Sequence, residues 1–262
     1  MKIIITLLIV FMFSENIIMS QPADHIEGGR YVKTIEYNVI TRGVTEESGR
    51  YNLEHKSILD RIFFGTKNSF VEFVFEDSPE GSNEATAFRI IKNPQDDSYK
   101  LEAMRLQNLH EVYKIRNELL EKTTSIIVPF WLSTAISQET VDQIKEHNKQ
   151  AEIFKYRDDL YKPYRPKPKT FRLSKEFAEK LHGKTAILID NFKAEGIPSD
   201  IFDGYNVTFR CVVEDELWTL SIQCPQRKAL QLSDLFRQII ADGFDNKIDE
   251  SKYLKLLDEI NL

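Results

Sequence analysis

The clearest pattern in the chain is an alternation of apolar and polar positions across residues 205–224. Tyr205, Val207, Phe209, Cys211 and Val213 are apolar at every second position, and after Glu214-Asp215-Glu216 the apolar set resumes at Trp218, Leu220, Ile222 and Cys224. A period of two marks a strand with one buried face, so the stretch predicts a β-hairpin turned by the acidic trio. Matching the apolar faces sets Val213 opposite Trp218, Cys211 opposite Leu220, Phe209 opposite Ile222 and Val207 opposite Cys224. A slip of one residue would turn a whole apolar row outward. Cys224 then lies about 13 Å along the strand from the partner of Cys211, at about 3.3 Å per residue, beyond the roughly 7 Å that a disulfide spans. These are the only cysteines in the chain, and they are expected to stay unbonded.

A similar pattern occurs about 120 residues earlier. Ala87-Phe88-Arg89-Ile90 echoes Thr208-Phe209-Arg210-Cys211, and Tyr99-Lys100-Leu101 echoes Trp218-Thr219-Leu220. Val112, Ile115, Leu119 and Leu120 repeat the helical spacing of Leu232, Leu235, Ile239 and Ile240. Gly65 and Gly183 each close a short helical pattern. These correspondences predict an α+β fold of two similar small modules, each a helix, a strand, a β-hairpin and a helix, with antiparallel sheets and helices packed on one face.

Taken in order, residues 31–40 read as one strand, 53–64 as a helix, 70–75 as a strand and 109–121 as a helix. Residues 137–161 read as a long polar helix. Ser174 is a good N-cap for a helix over 175–182, with Gly183 as its stop and 185–189 as a short buried strand. A helix over 230–241 and a final helix capped by Asp249 close the chain. The divisions are 1–20, 21–160 for a first module with an extra helix, 161–169 as a linker and 170–262 for a second module.

Met1-Lys2, an apolar run over 3–13 and small or polar residues up to Ser20 describe a secretory signal peptide. The run is too short for a membrane-spanning helix. The expected mature protein is therefore exported, periplasmic or secreted, of bacterial type, and soluble. Net charge is −6 with both signs interspersed, which argues against a nucleic-acid partner. Oligomeric state carries no sequence signal.

Two stretches are candidates for recognition. Residues 125–136 are the most apolar of the mature chain, and Pro129 forbids a regular element there. Phe130 and Trp131 are its candidate partner-facing side chains; the competing reading makes the segment a cap on the first module's core. Residues 161–169 hold three prolines and four basic side chains, the composition of a polyproline-like linker. Tyr161, Tyr164 and Arg165 could also form a docking strip there for an acidic or aromatic ligand.

Catalytic motifs are missing. Gly183-Lys184-Thr185 is not a P-loop, because Ala178 stands where that motif needs glycine. The acids Asp242, Asp245, Asp249 and Glu250 lack the alternate spacing of an EF-hand. None of the five histidines has zinc-ligand spacing. No catalytic residue, cofactor or metal is assigned. The expectation is a non-enzymatic binding or adaptor protein that meets another protein of the cell envelope. The alternative is an envelope hydrolase using a carboxylate pair in a cleft between the modules.

Overall fold

Strand pairing shows how the two halves of the chain meet. The computed structural model describes residues 24–27, 30–35, 38–44, 57–65, 68–77, 84–107, 114–115, 117–119, 121–122, 124–129, 135–155, 157, 159, 161–193, 204–214 and 216–262. The expected signal peptide lies outside them. The strands in chain order are Asp24–Glu27 (β1), Arg30–Ile35 (β2), Asn38–Val44 (β3), Val71–Glu76 (β4), Ala85–Lys92 (β5), Tyr99–Leu106 (β6), Lys169–Leu173 (β7), Asn206–Val213 (β8) and Glu216–Gln223 (β9). They form one nine-stranded sheet in the order β1-β2-β3-β9-β8-β4-β5-β6-β7. Every neighbouring pair is antiparallel. Residues 31–40, expected as one strand, are divided between β2 and β3 of a hairpin.

The fold is α+β with an antiparallel sheet, but the expectation of a separate sheet for each module is corrected. β8 pairs with β4 and β9 with β3, so the C-terminal hairpin is inserted between strands from the N-terminal half. The physical reason lies in β4. Its core-facing residues Val71, Phe73 and Phe75 are buried, and an apolar strand of that kind needs partners along both edges. β5 supplies one edge and β8 the other, with Phe88 and Phe209 standing on either side of Phe73.

The hairpin register is corrected by two residues. Cys211 faces Trp218, Phe209 faces Leu220 and Val207 faces Ile222. The turn is tighter than the acidic trio suggested: Glu216 belongs to β9 and pairs with Val213, and Glu214 takes a positive φ of 54°. A shift of two keeps every side chain on its expected face. Both cysteines are free.

Five α-helices have defined bounds among the described residues: Ile58–Phe64 (α1), Gln138–Lys155 (α2), Lys175–Asp190 (α3), Arg227–Phe244 (α4) and Glu250–Glu259 (α5). α3, α4 and α5 pack on the sheet face that carries Phe73. There Phe236 of α4 sits with its ring centroid 5.2 Å from Phe73, 5.0 Å from Phe88 and 5.7 Å from Phe209. Such aromatic contacts add about 0.5–1.5 kcal/mol each beyond burial. α1 lies on the opposite face, where Leu59, Phe63 and Phe64 cover Val74, Ala87 and Met104. Ser174 caps α3 by accepting from Phe177 N, and Asp249 caps α5 by accepting from Lys252 N, both as expected.

Residues 185–189 are helix rather than strand, and Gly183 lies inside α3 rather than at its end. The buried set Phe177, Ala178, Leu181, Thr185, Leu188 and Ile189 keeps helical spacing straight through the glycine. Thr185 returns its hydroxyl to Leu181 O at 2.8 Å. A Cβ built on Gly183 meets nothing within 4 Å. Gly183→Ala should therefore raise unfolding stability by about 1 kcal/mol in urea titration, the helix-interior difference between the two residues. A loss of stability would instead place a left-handed stop at this position.

Candidate functional site

Charged side chains converge beneath α1. Arg210 projects from β8 and is 1% exposed. Its NH1 donates to Glu72 Oε2 and its NH2 to Asp60 Oδ2, each at 2.9 Å, and its Nε donates to Thr219 Oγ1 at 3.2 Å. Asp60 also completes the start of α1: Ser57 N donates to Asp60 Oδ2 at 2.8 Å while Asp60 N donates to Ser57 Oγ at 3.1 Å. That reciprocal pair is a capping box. Glu72 accepts Ser69 N at 3.0 Å. Burial opposes the guanidinium's charge, but Asp60 and Glu72 outweigh it and raise the Arg210 pKa above its ordinary value.

Further arginines fasten the rest of α1. Arg89 donates from Nε to Glu102 Oε2 at 2.7 Å and from NH1 to Phe64 O at 3.2 Å. The second contact sets a positive charge on the last carbonyls of the helix, where the dipole favours it. Arg165 Nε donates to Ile62 O at 3.2 Å, and Arg61 NH1 donates to Tyr161 OH at 2.9 Å. Asp60 and Glu72 are the most closely converging carboxylates of this network. At 2% and 0% exposure they are held by Arg210 rather than offered to a ligand.

The sequence candidates fall in different places. Phe130 and Trp131 lie outside the described residues. Tyr161, Tyr164 and Arg165 are brought together against α1. Tyr161 is 1% exposed, and Tyr164 is half-buried beside the same small cluster of Ile62 and Leu119. Within residues 161–169, Lys162–Tyr164 forms a 3-10 turn and Lys169 opens β7. Upstream, the apolar segment shows Ile126 at 45% and Ile127 at 82% exposure. Its backbone is held from α2. Asn148 Oδ1 accepts Ile126 N at 2.7 Å, Asn148 Nδ2 donates to Ile126 O at 2.9 Å, and His147 Nε2 donates to Thr124 O at 3.0 Å. No local signal in the sequence marks Asn148, because its contact spans 22 positions.

Other reactive groups serve packing. Tyr253 OH donates to Asp242 Oδ2 at 2.6 Å, tying α5 to α4; burial, then Asp242, raise its pKa. Burial pushes the Cys211 thiol up to about 12. Among the described residues no group of three or more His, Cys, Asp and Glu could hold a metal ion, and no helix is long and apolar enough to cross a membrane. Comparison with protein-family models, curated proteins and solved structures returns no match.

Two outcomes test the network. Arg210→Met should cost about 3–5 kcal/mol in chemical denaturation, because two carboxylates are left buried with their cation removed. Adding Asp60→Asn and Glu72→Gln to that variant should restore part of the loss. For Glu102, burial pushes the carboxyl upward, but hydrogen bonds from Lys100 and Arg89 prevail and lower its pKa. A carboxyl depressed by folding stabilises above its unfolded value near 4.3 and loses that contribution as pH falls through the folded value. Glu102→Gln should therefore be less stable than the parent at neutral pH. The difference should shrink as pH drops below about 4 in urea titrations across pH.

Proposed function

We propose that this chain is an exported, non-enzymatic binding protein that holds another protein of the cell envelope through the apolar segment over residues 125–136. The observation that carries the reading is Ile127, a large apolar side chain 82% exposed on a backbone that α2 holds in place. Among the described residues, the backbone groups of Ser125 and Ile127 make no hydrogen bond. An ordered segment with an apolar side chain and open backbone groups loses less entropy on association than a free one. Burying Ile127 contributes about 1.5–3 kcal/mol. Phe130 and Trp131 follow directly in sequence, and aromatic anchors of this type dominate interface energetics. The apolar leader over residues 3–13 supports export.

The test is affinity capture with the chain from Gln21 onward against solubilised envelope proteins of its own host. A retained protein is expected, and it should be lost with Ile127→Asp or Trp131→Ala. Asn148→Ala leaves every apolar side chain of the segment in place but releases the backbone, and should weaken retention by about tenfold. Retention of nothing, or retention unchanged in Ile127→Asp, would overturn the reading.

A further inference from the structure

β7 ends the sheet. It pairs with β6 along one edge and, among the described residues, with no strand along the other. The run over 161–173 carries Lys162, Arg165, Lys167, Lys169 and Arg172 and no Asp or Glu, in a chain whose net charge is −6. Two of these cations face inward: Arg165 donates to Ile62 O, and Lys169 Nζ to Phe244 O. The other three, Lys162, Lys167 and Arg172, are exposed. None of the three pairs with a carboxylate among the described residues. Across the ladder Arg172 meets Lys100, and Glu102, opposite Thr170, is already engaged by Lys100 and Arg89. The rim of the sheet at β7 is therefore positive, with charges free to pair.

An open edge is a template for another strand. Positive charge there sorts the candidates. A second copy of the same edge would bring lysine and arginine against lysine and arginine, which destabilises the pairing, whereas opposite charges across a ladder stabilise it. Phe171 alternates with the exposed Thr170 and Arg172 and packs partly on the core. We propose that the open edge of β7 takes an extended acidic segment of a partner protein as an additional strand, with its carboxylates meeting Arg172 and with Lys167 adding positive charge just before the strand. Backbone pairing would supply affinity and the charges selectivity. This surface is separate from Ile127 and goes beyond the binding reading above.

The probe is a fluorescein-labelled peptide of alternating glutamate and valine, titrated with the chain from Gln21 onward and read by fluorescence anisotropy. Three controls accompany it: the lysine–valine peptide, the glutamate–valine peptide N-methylated at alternate residues, and the Lys167→Glu/Arg172→Glu variant. The acidic peptide should bind, with affinity falling as salt rises. The lysine peptide should not bind, the N-methylated peptide should lose binding, and the double variant should weaken it by about tenfold. Ile127→Asp should leave this binding unchanged, so failure here and failure of envelope capture are told apart. Absence of binding by the acidic peptide overturns the proposal. Equal binding of the N-methylated peptide overturns strand addition in favour of charge attraction alone. Near-UV circular dichroism confirms that each variant is folded.

Discussion

The arrangement of this chain depends on the neutralisation of one buried guanidinium. Arg210 lies between Glu72 in β4 and Asp60 in α1, 138 and 150 residues away in sequence. Taking an arginine out of water costs several kcal/mol, and a partial set of partners leaves that cost uncompensated. β8 can therefore occupy the place beside β4 only when α1 covers the sheet with Asp60 in position. Asp60 is also the side chain that closes the capping box with Ser57. One carboxylate thus sets where α1 begins, neutralises β8 and couples helix placement to closure of the sheet.

The echo between the two hairpins acquires a physical meaning around β4. Phe73 is flanked by Phe88 and Phe209, and Glu72 by Arg89 and Arg210. The two Phe-Arg strands are alike because each borders the same central strand. Each must supply an aromatic ring to one face and a cation to the other. Their cations then diverge: Arg89 engages Glu102, while Arg210 takes Glu72 and Asp60. Beyond these strands the likeness fails, since residues 93–98 connect β5 to β6 but only 214–215 connect β8 to β9. The two hairpins thus share placement beside one central strand.

Local periodicity was legible, and non-local pairing was not. The alternation over 205–224 and the helical stripe through Leu232, Leu235, Ile239 and Ile240 correspond to β8, β9 and α4. Ser174 and Asp249 announced helix starts because cap chemistry is local. Gly183 misled, because glycine is tolerated inside a helix when the buried stripe continues past it, as it does from Leu181 to Thr185 and Leu188. The hairpin register went astray by two because apolar alternation sets only the parity, and turn geometry sets the remainder. Insertion of β8 beside β4, and selection of Asp60 and Glu72 from 41 acidic residues, have no local signature. The same holds for Asn148 and Ile126.

Charged and apolar groups are used differently in the interior and at the periphery. The chain halves meet along the β3–β9, β4–β8 and β6–β7 ladders, and the central one, β4–β8, has the aromatic cluster of Phe236 on one face and α1 with Arg210 on the other. The carboxylates of Asp60 and Glu72 there are paired with Arg210. The groups left open among the described residues lie elsewhere. Ile127 projects from a segment held by α2, and Arg172 lies on an edge strand that Lys167 shortly precedes. One surface is apolar and the other positive, so the two call for different partner chemistry.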